Sequence, residues 1–218
     1  MEKRQRVLVG EAARAAGLFD TELIDEPTAA AMCYLDSGFI RDGGRFLVYD
    51  FGGGTFDVSL IGYDKGTFYS LTDPVGLEHC GGIDIDRKIY EDMLKALDPD
   101  MLRQVCQKPV NKLRLDCRLG ELAVKAKHHL SAALDFMEDI EIGYDLVPYS
   151  LSRAALDTMI SPLAGQTITA CRDILKAAGL TVSDISAILM VGGTSRVPLI
   201  QTAVRQLPGM FRCCLLWI

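Results

Sequence analysis

The chain has 218 residues, 49% hydrophobic and 24% charged, which suits one or two cored domains and excludes a disordered or fibrous chain. Its formal net charge of −6 implies no nucleic-acid partner, and no apolar run approaches the length of a membrane span. The seven cysteines (Cys33, Cys80, Cys106, Cys117, Cys171, Cys213 and Cys214) are odd in number and form no C-x-x-C pair. With only three histidines beside them, they read as reduced thiols of a cytoplasmic protein, not as a disulfide frame or a metal site.

The opening Met1-Glu2-Lys3-Arg4-Gln5-Arg6 is a charged helix start and not a secretory leader. Leu8, Ala12, Ala15 and Ala16 share a face and predict a helix over 3–16, ended by Gly17. Glu22-Leu23-Ile24 predicts a short strand. Pro27 opens a helix of small residues that runs through Tyr34 and Leu35 and closes near Gly38. Residues 46–73 predict three antiparallel strands, turning at Gly52-Gly53-Gly54 and at Asp64-Lys65-Gly66.

From about Gly81 the texture changes. Charge and helical spacing dominate to Phe136, then come an alternating strand, Asp139 to Tyr144, and a further run, Leu151 to Leu156. Ile168, Cys171, Ile174, Leu175 and Ala178 make an amphipathic helix capped by Gly179. Ala187-Ile188-Leu189-Met190-Val191 is a buried-type strand that returns to the first sheet, which implies a discontinuous domain around an inserted one. It runs into Gly192-Gly193-Thr194-Ser195-Arg196. Pro198 then starts a helix carried by Ile200, Ala203, Val204 and Leu207 and stopped at Pro208-Gly209. The last residues, Gly209 to Ile218, break the pattern. They are a short buried strand or an altered terminus, and the second is favoured because an unpaired apolar tail invites aggregation.

Two strand ends therefore lead into glycine-rich turns. Glycine lets the backbone curl so that several N–H groups face one hollow, a geometry that holds phosphates. Asp50, leaving the first strand, can hold Mg²⁺ through water, because Mg²⁺ is a hard cation that keeps much of its shell. Either turn alone is equally an ordinary hairpin or strand–turn–helix corner. Two facing one another across a cleft would clasp a nucleotide from two sides.

Four stretches in order carry a resemblance: Ile24-Asp25-Glu26-Pro27-Thr28-Ala29-Ala30-Ala31, Asp50-Phe51-Gly52-Gly53-Gly54-Thr55-Phe56-Asp57-Val58-Ser59, Gly81-Gly82-Ile83-Asp84-Ile85-Asp86, and Val191-Gly192-Gly193-Thr194-Ser195-Arg196-Val197-Pro198. They resemble the signatures of the DnaK-type heat-shock chaperones of the actin-like ATPase superfamily, over about Arg4 to Gly209. The resemblance implies an α/β fold: an actin-like (ribonuclease-H-like) lobe with a mixed sheet flanked by helices and an inserted α/β subdomain. Residues 1–40 would be a remnant of the first lobe plus the crossing helix. Residues 41–80 and 162–210 would be the base of the second lobe, 81–161 its inserted upper subdomain, and 211–218 an atypical tail.

The implied ligands are ATP or ADP with Mg²⁺. Asp50 and Glu26 would hold the metal through water, and Asp50 would also organise the attacking water. Gly52, Gly53, Gly54 and Thr55 would line the phosphates, where the Thr55 hydroxyl adds a donor. Asp57 faces the same side as Thr55 and either assists catalysis or bonds the loop. Gly82 would approach the sugar, Gly192 and Gly193 the nucleoside, and Arg196 would stack on adenine. Lys127 and Ser131 would meet the ribose and adenine from one helix face.

Each residue has a plainer explanation as well. Asp50 can tighten a turn, Glu26 can answer a helix dipole, and Lys127 can be a solvated helix lysine. Val124 stands where the family carries an acid, which implies altered adenosine handling. His79 and Cys80 flank the loop and take no role. The family's amino-terminal phosphate loop and later catalytic lysine have no counterpart here, so the resemblance implies weak binding and slow hydrolysis by this chain. In the parent it implies a nucleotide-exchange factor on the upper subdomain, a J-domain co-chaperone and unfolded polypeptide as partners. A sugar or acid kinase, a non-catalytic interaction module of the same fold, and a filament subunit are the alternatives.

Overall fold

The apolar run within Gly44–Phe51 builds the centre of the molecule. In the computed structural model, which describes residues 3–35, 40–207 and 214–217, this segment is strand β1. Its odd positions Leu47, Tyr49 and Phe51 enter one core, and Phe46 and Val48 enter another on the opposite face. A strand covered on both sides must be apolar on both sides, which is why this one reads as a near-continuous hydrophobic run.

β1 pairs antiparallel with β2 (Thr55–Asp64) and parallel with β7 (Ala187–Val191). The outer edge of β2 is shared end to end by β3 (Thr67–Ser70) and β4 (Val75–Glu78). On the far side, β8 (Cys214–Trp217) pairs parallel with β7 and completes a mixed six-stranded sheet. Four residues of the tail thus add a strand, and β4 is a strand that the sequence pattern does not predict.

The smaller core lies under helix α2 (Glu26–Met32), whose Ala30 and Ala31 bring it close to Phe46, Val48, Ile61 and Leu189. The larger core lies on the other face. There the rings of Tyr49 and Phe56 sit 4.6 Å apart and those of Phe51 and Phe56 5.5 Å apart, both edge to face. Helix α6 (Arg153–Ala177) covers them. One polar link crosses this interface: the Tyr49 hydroxyl donates to Thr167 Oγ1 at 2.7 Å, and Thr167 donates onward to Ala164 O.

The residues between β4 and α6 make three helices and a hairpin: α3 (Gly82–Ala96), α4 (Pro99–Cys106), α5 (Pro109–Ala132), then β5 (Asp135–Ile142) and β6 (Asp145–Ser152). α5 packs between α3 and β5. The predicted strand at 139–144 begins earlier and ends at a tight turn, where Gly143 takes φ +67°. The predicted run 151–156 divides instead. Its first two residues finish β6, and the Ser152 hydroxyl then accepts from the Ala155 N–H and starts α6. α6 runs straight through Pro162. The ring removes the N–H that would bond Thr158 O, and the Ser161 hydroxyl donates to that oxygen at 3.1 Å.

Two further expectations change at the amino end. Helix α1 (Lys3–Ala15) forms, but Val7, Leu8 and Val9 stay about half exposed or more. Residues 22–24 form no strand. Arg6 reaches across, donates to Leu23 O at 2.9 Å and pairs with Asp25 at 2.6 Å, so a side chain takes the carbonyl that a strand partner would need. The predicted helix stops at Gly38 and Pro208-Gly209 lie outside the described residues. α7 (Pro198–Arg205) forms as expected, with Ile200 and Val204 buried.

Candidate functional site

Because β1 and β7 are parallel neighbours, both glycine-rich turns leave the sheet at the same end. Asp50 is the last polar residue of β1, in register with Val191 on one side and Asp57 on the other. Cross-strand partners point to one face, so the two carboxylates share a side of the sheet. α2 covers that face and starts at Glu26, whose charge also reaches Asp50. Partial burial, then Glu26, then Asp57 push the Asp50 carboxyl up to about 6. Three acids gathered this way repel one another and suit a cation. Among the described residues no three His, Cys, Asp or Glu side chains are close enough to hold an ion directly, and contact through water fits the expected Mg²⁺ role.

Beside the acids, three loops are tied together at the glycine triplet. Gly52 O accepts two bonds, from the Gly82 N–H at 3.1 Å and from Thr194 Oγ1 at 2.8 Å. Gly53 O accepts from the Ile83 N–H at 2.8 Å. The Asp84 carboxylate accepts from the Gly81 N–H at 2.9 Å and fixes the start of α3. Lys127, from the carboxy-terminal third of α5, closes the group. Its Nζ donates to Gly82 O at 3.1 Å and to Asp86 Oδ2 at 2.7 Å.

The glycines divide into two kinds. A Cβ on Gly82 would lie 2.7 Å from Thr194 Oγ1 and 3.2 Å from Lys127 Nζ, and one on Gly192, where φ is +83°, would lie 2.6 Å from the Phe51 carbonyl carbon and 2.9 Å from Asp50 Oδ1. These two let the loops pack on each other. Gly53, Gly54 and Gly193 have no heavy atom within 4 Å of that position. They border open space and fit a ligand lying against the backbone.

The expected residues thus fall into two touching groups: Asp50, Glu26 and Asp57 at the strand ends, and Gly52, Gly82, Lys127 and the 192–194 turn beside them. Thr55 begins β2, exposed, at the acid end. Ser131 lies one turn beyond Lys127 on α5 and donates to Lys127 O at 3.0 Å. Val124, one turn before, is 41% exposed. Arg196 is exposed at the end of the 193–196 turn, with its carbonyl taken by Gln201 Nε2 at 3.0 Å. Cys80 is buried behind the loop, and burial pushes its thiol up to about 11, which leaves it unreactive. There are two hollows, of about 260 and 430 Å³: one is lined by His79, Asp84, Arg87 and Pro162 beside the start of α3, the other by Arg114, Arg118 and Tyr144. Neither is lined by an expected site residue.

Two residues of the site go beyond those expected from sequence. Thr194 supplies the only side-chain bond seen between the two glycine turns among the described residues. Asp86 holds Lys127. Both lie inside the quoted motifs, but their partners are 142 and 41 residues away.

The family model described as Hsp70 protein matches residues 1–212. The chaperone protein HscA of Pectobacterium atrosepticum is 38% identical over 201 residues, covering 92% of this chain and 30% of that protein. A chaperone protein HscA homolog of Colwellia psychrerythraea is 35% identical over 210 residues, covering 93% of this chain and 31% of that protein. The chain spans about a third of the length of the curated relatives it matches.

Proposed function

This chain belongs to the Hsp70 family, and from that premise we propose that it holds ATP or ADP with Mg²⁺ as part of a chaperone's nucleotide-binding domain. The observation that carries the proposal is the junction at Gly52 O, where the first glycine turn, the start of α3 and the 192–194 turn meet. Gly53, Gly54 and Thr55 would give backbone and hydroxyl donors to the phosphates, and the open space at Gly53, Gly54 and Gly193 supports a nucleotide lying there. Lys127 and Ser131 serve the ribose side, and Arg196 and Gly193 the base.

Mg²⁺, when bound, supplies positive charge that neutralises the phosphates. The residues that would hold it are Asp50 and Glu26, through water, with Asp57 beside them. The raised Asp50 supports this assignment, because a nearby cation offsets both causes of the rise, burial first and then the charges of Glu26 and Asp57. Asp50 in its ionised form orients a water toward the terminal phosphate. Turnover by these residues alone is slow, because phosphoryl transfer needs cationic groups placed around the transferred phosphoryl, and the strand-end group offers only acids, backbone amides and a hydroxyl.

In domain terms, residues 1–40 belong with a first lobe and a crossing helix, 41–80 and 162–210 form the base of the second lobe, 81–161 form its upper subdomain, and 211–218 form a tail. β1–β7 pairing supports the discontinuous base, while α6 runs unbroken from residue 153 to 177 across the boundary at 161. The parent couples the nucleotide cycle to protein folding in the cytoplasm. Its partners are an exchange factor at the upper subdomain, a J-domain co-chaperone and unfolded polypeptide. Among the described residues no helix is long and apolar enough to cross a membrane.

Calorimetric titration of the folded chain with Mg-ADP tests the core of this reading. Saturable heat is expected in the micromolar to millimolar range. No heat at millimolar nucleotide, from a sample that unfolds cooperatively, overturns it.

A further inference from the structure

Among the described residues, Lys127 and Asp86 form the one ion pair largely shielded from water on both sides, with 13% and 17% of their side chains exposed. A largely buried pair is weak as a source of stability, since two apolar residues of similar size often do as well. This pair is also incomplete. Asp86 Oδ2 takes the lysine, while Asp86 Oδ1 is buried with no hydrogen-bond partner. An oxygen left in that way gives up its water with no return inside the described fold. What the pair does achieve is position.

An ammonium has three N–H donors. Lys127 gives one to Asp86 and one to Gly82 O, which leaves one over. Gly82 is itself pinned to Gly52 O, where Thr194 also bonds, so the lysine head is anchored where the two glycine turns meet. Val124, three residues earlier on α5, is apolar and contributes no charge to hold that head. Asp86 is therefore the acid on which the placement of Lys127 depends.

We infer that Asp86 is a positioning residue that fixes the Lys127 ammonium over Gly82, so that its remaining N–H serves the ribose of a nucleotide seated at the glycine turns. This rests on the nucleotide reading above. Asp86 touches no ligand in this role. It acts by keeping a long, flexible side chain from swinging into solvent.

The test compares Mg-ADP, Mg-2′-deoxy-ADP and inorganic tripolyphosphate on the full chain, with Asp86→Asn, Lys127→Gln and the double variant. The unaltered chain should prefer ADP to the deoxy nucleotide. Asp86→Asn should lose about tenfold in ADP affinity and most of that preference, as expected for a misplaced bond from a charged donor. Tripolyphosphate affinity should stay within about twofold, because the glycine turns are untouched. Lys127→Gln should lose as much, and the double variant no more than either alone. A purely structural Asp86 would weaken all three ligands together, which overturns the inference. So would an Asp86→Asn chain that keeps its ADP preference, an unaltered chain that shows none, or losses that add in the double variant. Should Asp86→Asn not fold, Asp86→Ser is read by the same outcomes. An unaltered, folded chain that binds none of the three ligands removes the nucleotide reading itself and this inference with it.

Discussion

Replacing Gly192 by alanine should remove much of the stability of this chain, while the same change at Gly193 should leave it nearly untouched. Gly192 sits at φ 83°, ψ 150°, a conformation essentially reserved for glycine, and forcing a side chain into it costs about 1–3 kcal/mol. The added methyl would also lie 2.6 Å from the carbonyl carbon of Phe51. That carbonyl belongs to β1, which is hydrogen-bonded to neighbours on both sides and cannot withdraw, so overpacking adds about 1–3 kcal/mol more. Together the loss is roughly 4 kcal/mol, a large part of the stability of an ordinary domain. Gly193, the next residue, has no positive φ, and a methyl added there would meet no atom within 4 Å. Its substitution should cost no more than about 0.5 kcal/mol. Urea unfolding of both variants, with slopes checked against the unaltered chain, gives the two numbers. A Gly192→Ala loss under about 1 kcal/mol, or equal losses at the two positions, refutes the claim that the turns are locked backbone against backbone.

Asp50→Asn should stabilise the chain at pH 8 and not at pH 4. The folded state keeps the Asp50 proton up to about 6 against 3.8 for the free group, so it binds more protons through that window and stability falls as pH rises across it. Removing the charge should restore about 1 kcal/mol at pH 8, since partial exposure to solvent screens the full linkage value. Denaturant titrations at the two pH values check this, and an equal gain at pH 4 counts against it. At the helix–sheet interface, Tyr49→Phe should cost about 1 kcal/mol and Thr167→Val about 2 kcal/mol, because only the second leaves a buried hydroxyl without an acceptor. Equal losses in thermal or urea unfolding would show that Tyr49 finds another partner.

The sheet was legible in the sequence because alternation and apolar runs are local. Leu47, Tyr49 and Phe51 against Phe46 and Val48 announce two covered faces, and Ala187 to Val191 announce a buried partner. The glycine turns were legible for the same reason. The first half of α6 was harder to see, since Leu151 to Leu156 reads as one run and Pro162 breaks the helical pattern by rule, while the Ser161 hydroxyl takes the carbonyl that the proline leaves. The absence of a strand at 22–24 turns on Arg6 and the hold on Lys127 turns on Asp86, each distant along the chain from the residue it meets. Side-chain partners chosen by the fold leave no periodic trace. Residue types at the site could therefore be named in advance, but the knot at Gly52 O could not.

Parallel pairing of β1 with β7 has a consequence for how this architecture tolerates change. The two turns meet because their strands run the same way in register, from Phe46 opposite Ala187 to Asp50 opposite Val191. The span of chain between them sets none of that alignment. Lengthening or trimming the β5–β6 hairpin leaves the meeting point where it is, whereas slipping a single residue between Ala187 and Val191 turns every inward side chain outward and carries the second turn away from the first.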